Sequence, residues 1–327
     1  MGSRAYLISK VLQALLTLAF VLAFNFFLFR ILPGNPAAAL LRNPRIPASA
    51  VHQLERDFGL DKSLPEQFVI YVKETFQGNL GISYRFREQV TKSISRAVWP
   101  TVLLVGTSTI ASTIIGLLIG IKGGWQRGSA FDIGSLGFSL VTYAMPEFWL
   151  GLLLLVAFAG GAGIFPALFP TGGITTAGGP TAGLPHIADV LNHMFLPFVT
   201  LTVAFLGEYA LIMRSALLDV MGEDYILTAH SKGLRDRDVL NKHAVPNAML
   251  PVMTLVVLNL GFVVSGAITI ETVFSWPGLG LLSFQALSTP DYPLLEGLFL
   301  LFSGAIILAN LGADLMYGYL DPRVRAA

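Results

Sequence analysis

Long stretches without charge set the pattern of this chain. No Asp, Glu, Lys or Arg occurs between Lys10 and Arg30, nor between Arg96 and Lys122. From Asp132 to Asp189 the only charge is Glu147, and the apolar part reaches about Phe158. A fourth run, Phe195 to about Leu218, is interrupted by Glu208 and Arg214. The fifth covers Pro251 to Ile270 and the sixth about Leu294 to Tyr317. A helix needs about 20 apolar residues to cross the hydrocarbon core of a bilayer. Barrel strands would be about ten residues long and alternating, which these runs are not. The pattern predicts an all-α integral membrane protein with six transmembrane helices.

Composition agrees: 54% of the 327 residues are hydrophobic and 13% charged, against roughly 25% charged in soluble domains. Cysteine is absent, so no disulfide or thiolate metal site can form. The net charge of +1 gives no reason to expect a nucleic-acid partner. The basic amino terminus (Arg4, Lys10) precedes a run too long for a signal-peptide core, so it reads as an uncleaved first span. MGSRAY also lacks the Ser or Thr that myristoylation requires at position six.

With the amino terminus inside, the inner segments hold Lys122, Arg127, Arg214, Lys232, Arg235, Arg237, Lys242, Arg323 and Arg325. The later outer loops, about 160–194 and 275–293, hold no Lys or Arg, as the positive-inside rule requires. Both termini are therefore expected in the cytoplasm. The segment 33–98 would be outside despite nine basic residues, because a segment of 66 residues translocates largely regardless of charge.

That outer segment reads as two short amphipathic helices. Pro47 precedes Val51, Leu54 and Phe58, with Gly59 as a stop; Pro65 opens Phe68, Tyr71, Val72 and Phe76, ended by Gly78-Asn79. Such helices bind a partner, lie on lipid headgroups or cap the bundle, and their pattern does not choose among these. Eight Gly and four Pro make 160–185 irregular.

The longest polar stretch on the inner side, DVMGEDYILTAHSKGLRDRDVLNKHAVPNAMLP from Asp219, exceeds what a turn between spans needs. Asp224 is placed to cap a helix of Tyr225, Ile226, Leu227, Thr228 and Ala229. Gly233 is placed to end it in the left-handed conformation. Small Ala229 would let another protein approach the backbone. A second helix, about Asp236 to Ala244, follows, and Pro246 and Pro251 are expected to break the chain. On physical grounds alone the segment docks a soluble partner or lies as an amphipathic hairpin on the membrane.

The residues DYILTAHSKGLRDRDVLNKHAVPNAMLP resemble the coupling-helix loop of permease subunits of bacterial ATP-binding cassette (ABC) importers, in particular the dipeptide, oligopeptide and nickel permease family. RILPGNP from Arg30, FGLDKSLPEQF from Phe58, GNLGIS from Gly78 and WPT from Trp99 follow in that family's order. So do PEFWLGLLL from Pro146, ETVFSWPGLG from Glu271, DYP from Asp291 and NLGADLMYGYLDPRVR from Asn310. Asn35 and Asn79 stand where the family usually has Asp, His230 where it has a small residue, and Pro246 where it has a basic one.

The resemblance implies a type I importer permease fold in a bacterial cytoplasmic (inner) membrane. Its parts would be 1–32 (amino terminus and first span), 33–98 (extracytoplasmic helical insertion), 99–317 (five-helix core with the coupling loop at 220–251) and 318–327 (tail). The chain would form half of a translocation path with a second homologous permease subunit. Two cytoplasmic ATPase subunits would bind ATP and Mg, and an extracytoplasmic binding protein would deliver solute. The ATPase contact would fall on Asp224, Tyr225, Thr228, Ala229, His230, Lys232, Gly233 and Leu234. Peptides are the expected cargo, with oligosaccharide, glutathione or nickel as alternatives.

The chain has no GxxxxGK[ST] phosphate loop, so it is not expected to be an enzyme itself or to hold a cofactor. Ionisable groups inside spans are functional candidates, which makes Glu147 and Glu208 candidates for the path. Arg214 is read as snorkelling or as anchoring the loop, and Glu271 and Asp314 as structural, interfacial charges. The histidines show no ligand spacing, so no metal site is expected. A self-contained secondary transporter would want ionisable relays in two matching halves, and an intramembrane enzyme a nucleophile with its base; neither pattern is evident.

Overall fold

The computed structural model describes residues 2–31, 62–160, 166–263 and 267–320. The expected helix around Val51 to Phe58, most of RILPGNP and the DPRVR tail lie outside the described residues. The helices are α1 (Gly2–Ile31), α2 (Leu64–Phe76), α3 (Val90–Thr101), α4 (Thr107–Trp125), α5 (Ala130–Ala144), α6 (Glu147–Phe158) and α7 (Gly183–Met221). They continue with α8 (Asp224–Ser231), α9 (Asp236–Val239), α10 (Val245–Val263), α11 (Ile268–Val273), α12 (Leu279–Ser288) and α13 (Tyr292–Leu320). Among the described residues there is no strand, only an isolated bridge between Ile82 and Gln89. Two compact units emerge, Met1–Ala97 with Leu282–Ala327, and Val98–Leu281; each is described by itself.

In the first unit, α1 and α13 pack antiparallel. The Lys10 ammonium meets Asp314 at 3.2 Å near one end, and Asn25 donates to the Glu296 carbonyl at 3.3 Å near the other. The opposite face of α1 is bare: Leu16 is 70% and Phe20 68% exposed, a surface that only lipid or another apolar partner can cover. Helix α2 starts with a reciprocal capping box between Ser63 and Glu66 and closes at Gly78, φ +78°. Its Phe68 and Tyr71 pack on Phe26 at ring separations of 5.3 and 5.6 Å, while Val69 and Phe76 stay exposed. Burial pushes the Tyr71 hydroxyl up to about 12, although Asn25 donates to it at 2.9 Å. Wholly buried Asp291 joins two of the motifs. It accepts from the Ser83 hydroxyl at 2.5 Å, the Arg85 N–H at 3.1 Å and the Leu294 N–H at 3.3 Å, the last in the opening turn of α13.

The second unit is built on α7, 39 residues long. Helix α4 lies against it through Ser108, Ser112, Gly116, Gly120 and Gly124, all buried or closely packed and spaced four apart. Small residues at that spacing let two backbones meet, the main way helices associate where lipid removes the hydrophobic drive. A Cβ on Gly120 would lie 2.6 Å from the Ala210 carbonyl oxygen, and one on Gly116 2.6 Å from the Tyr209 Cβ. Helix α5 crosses α7 at Gly207 in the same way, beside Ser139 and Thr142.

Three expectations about element boundaries are corrected. The third apolar run is not one helix: α5 and α6 meet at a 99° bend. Pro146 supplies no N–H, and its ring forces Met145 into an extended conformation, φ −80° and ψ 127°. Counting charges does not detect a missing backbone donor. Conversely, Pro246 and Pro251 do not break the chain. A wide turn at Leu240–Ala244 links α9 to α10, and the Val245 N–H reaches back five residues to Leu240. This turn makes room just before the Pro246 ring. Pro251 is then carried inside α10. The fourth helix starts at Gly183 rather than near Phe195.

Candidate functional site

The bend before α6 puts Glu147 in the first turn of that helix rather than mid-span. Its carboxylate accepts from the Thr269 hydroxyl near the start of α11. A cavity of about 380 Å³ opens there, and Glu208 of α7 lines it as well. Thr109, Tyr209, Asn259 and Thr269 complete its polar wall; Val105, Phe205, Val263, Ala267 and Ile268 are apolar. Among the described residues, no Lys, Arg or His lines it. The sequence-predicted path residues Glu147 and Glu208 therefore share one cavity. Asn259 and Tyr209, which donate and accept a hydrogen bond of 2.9 Å, were not singled out from sequence. An amide inside the apolar run 251–263 was the available signal.

Arg214 does not share that cavity. Its guanidinium grips Asp132 of α5 with two bonds, Nε to Oδ1 at 2.6 Å and Nη2 to Oδ2 at 2.9 Å. A carboxylate 82 residues away in sequence thus holds the Arg214 charge. Asp132 also accepts from the Gly128 N–H at 2.9 Å. Glu271 is wholly buried and accepts from the Thr101 hydroxyl at 2.8 Å and the N–H groups of Gly280 and Leu281 at 2.7 and 3.1 Å. The Leu279 N–H donates to the Thr101 oxygen at 2.7 Å, and the Trp276 indole donates to the Pro100 carbonyl at 2.9 Å. The WPT and ETVFSWPGLG motifs are thus one hydrogen-bonded knot. Asp314, paired with Lys10, belongs to the first unit.

The polar segment after α7 forms α8. Its cap is Glu223 rather than Asp224, which is already helical; the Glu223 side chain makes no cap bond. Gly233, φ +75°, ends the helix, and the Leu234 N–H returns to the Ala229 carbonyl at 3.3 Å. The expectation for Ala229 is reversed. Together with Ile226 it forms the buried stripe, packed in a cluster with Tyr209, Met213, Leu217, Val239 and Val252. Positions three apart on one helix face make this the inward side. Asp224, Tyr225, Thr228, His230, Lys232, Gly233 and Leu234 are exposed, as is Leu227 at 67%. Burial, with the Glu223 charge, pushes the Tyr225 hydroxyl up. Lys242, hydrogen-bonded at 2.8 Å, holds the Asp238 carboxyl below its ordinary value. No group of three metal-ligating side chains occurs among the described residues.

Residues 86–326 match the family described as the binding-protein-dependent transport system inner membrane component, and residues 4–105 match the amino-terminal part of such components. A dipeptide transport system permease of Escherichia coli K12 is 35% identical over 95% of this chain and 93% of its own. A di/tripeptide transport system permease of Pseudomonas aeruginosa is 36% identical over 92% and 93%. A glutathione transport system permease of Pectobacterium atrosepticum is 35% identical over 98% of each chain.

Proposed function

The chain belongs to the family of binding-protein-dependent transport system inner membrane components, and on that premise we propose that it is a permease subunit of an ATP-driven peptide importer. It crosses the membrane six times with both termini in the cytoplasm, and the segment 33–98 lies on the outer side. It pairs with a second permease subunit to enclose the solute path. Two ATPase subunits grip the outward face of α8 and its counterpart, and their closure on ATP rocks the bundle from inward-open to outward-open. A binding protein presents the solute at the outer mouth. The relatives named for dipeptides, di/tripeptides and glutathione support peptide cargo.

The observation that carries the reading is the two-sided character of α8. Ile226 and Ala229 root it in the core of its own unit, while Tyr225, Leu227, Thr228 and His230 stand exposed. An apolar Leu227 at 67% exposure on the outward face of the helix is suited to a protein groove. The test is co-purification and uptake by the assembled complex in vesicles. Tyr225→Ala with Leu227→Asp should release the ATPase subunits and abolish accumulation of alanyl-alanine against its gradient. Uphill accumulation by this chain alone, or by that double variant, would overturn the proposal.

A further inference from the structure

Among the described residues, the cavity beside the α5–α6 bend is lined by two carboxylates and no basic group. It also holds a donor with nothing to donate to. Tyr209 is wholly buried, and its oxygen accepts from Asn259 at 2.9 Å, yet its own proton has no acceptor among the described residues. The Asn259 carbonyl oxygen likewise receives no bond there. Among the described residues, Glu208 has no hydrogen-bond or ion-pair partner and Glu147 is met only by Thr269. A charge of this kind within a span calls for a counter-charge, and the buried Tyr209 proton costs free energy until something supplies an acceptor. At about 380 Å³ the space lies within the range of small-molecule sites.

We propose that this cavity is a subsite for a primary ammonium group of the passing solute. Glu147 and Glu208 receive the ammonium, and the Tyr209 hydroxyl donates to the neighbouring carbonyl. The ammonium can come from a peptide's amino terminus or from a lysine side chain. The subsite rests on the importer reading above and adds a chemical requirement to it: cargo without a cation leaves both carboxylates and the tyrosine proton unmatched. Val105, Phe205 and Val263 line the space without offering it a hydrogen bond.

The absence of cysteine from this chain allows a direct test on the purified complex, with the partner subunits' own thiols replaced beforehand. Ile268 lines the cavity and is 44% exposed, so Ile268→Cys gives a reachable thiol. Its modification is timed with a trimethylammonium-ethyl and with a sulfonato-ethyl methanethiosulfonate, and the rate ratio is referred to that of free cysteine. Two nearby charges should raise the ratio roughly tenfold or more, and Glu147→Gln with Glu208→Gln should return it to the free-thiol value. A ratio at the free-thiol value before substitution, or unchanged after it, overturns the subsite.

A second arm leaves the glutamates intact. Glycyl-glycinamide should slow modification, and its N-acetyl derivative should not. N-acetyl-lysinamide separates the two sources: protection by it assigns side-chain ammonium groups as well. Protection by either amine supports the proposal, whereas protection by neither amine, or equal protection by the acetylated peptide, overturns it. Labelling needs no ATP. An Ile268→Cys complex with both glutamates intact that shows no selectivity but full uptake therefore defeats the subsite alone, and selectivity without uptake defeats the importer reading alone.

Discussion

Gly120→Ala is the sharpest probe of how the second unit is held together. The added methyl would sit 2.6 Å from the Ala210 carbonyl oxygen, 2.7 Å from the Met213 Cβ and 3.1 Å from the Arg214 N. Two of these are backbone atoms of α7, so no side-chain rotation relieves the overlap and the helices must separate. Over-packing of this kind costs about 1–3 kcal/mol, partly offset by the roughly 1 kcal/mol that Ala gains over Gly in a helix. Gly134 of α5 is the control, since nothing lies within 4 Å of its added Cβ and only the helix-propensity gain applies. Gly124 should fall between, because its nearest neighbour at 3.1 Å is a Leu217 methyl that can turn. The expected order of thermal midpoints in detergent, read by size exclusion, is Gly134→Ala above Gly124→Ala above Gly120→Ala. At about 2–4 °C per kcal/mol, the extremes should differ by several degrees. Equal midpoints for Gly120→Ala and Gly134→Ala would refute close backbone contact between α4 and α7.

Two further substitutions test the buried charges. Arg214→Gln should cost about 3–5 kcal/mol because it strands the Asp132 carboxylate, which is 4% exposed, and adding Asp132→Asn should recover much of that; a double variant no more stable than the single would refute the pairing. Glu271→Gln turns an NH₂ toward groups that already donate, so it should lower stability by about 1–3 kcal/mol, whereas an unchanged midpoint would show that the knot of Thr101, Gly280 and Leu281 is not formed.

What could be read from the sequence divides along the range of the forces. Helix existence followed from long apolar runs with few charges, because lipid leaves the backbone no partner but itself; the charge-free run from Lys10 to Arg30 needed nothing more. Gly233 as a helix stop was equally local. Proline was harder. Pro146 makes a bend and Pro246 does not, and the difference lies in the wide turn just before Pro246, which hydropathy does not encode. The Ser108, Ser112, Gly116, Gly120, Gly124 ladder was visible as a spacing of four, but a search for charges passes over small residues. Arg214 and Asp132, or Thr101 and Glu271, meet across 82 and 170 positions, and no local pattern announces such pairs. The inward face of α8 was misread for a related reason. A small residue accommodates a neighbour equally well whether that neighbour is a partner protein or the chain's own α7, and only Ile226 three positions earlier breaks the tie.

Tyr209 connects the two halves of the functional argument. It is packed in the cluster that roots Ile226 and Ala229 of α8, and it lines the cavity that holds Glu208. At the same level its Cβ lies against Gly116 of α4. A close-packed cluster passes on displacement rather than absorbing it, and interfaces of this kind shift between discrete packings rather than deforming smoothly. Under the importer reading, a push on the exposed face of α8 has a packed route toward the cavity, through the cluster that holds Ile226, Ala229 and Tyr209. The Gly116 contact sets the limit, since α7 cannot move closer to α4 and can only slide or tilt along it. Sliding carries Glu208 with Tyr209, because both are on α7, and changes their distance from Glu147, which is on α6 beyond the bend. If the importer reading and the ammonium subsite both hold, the pair of carboxylates is where such sliding would alter affinity for a cation.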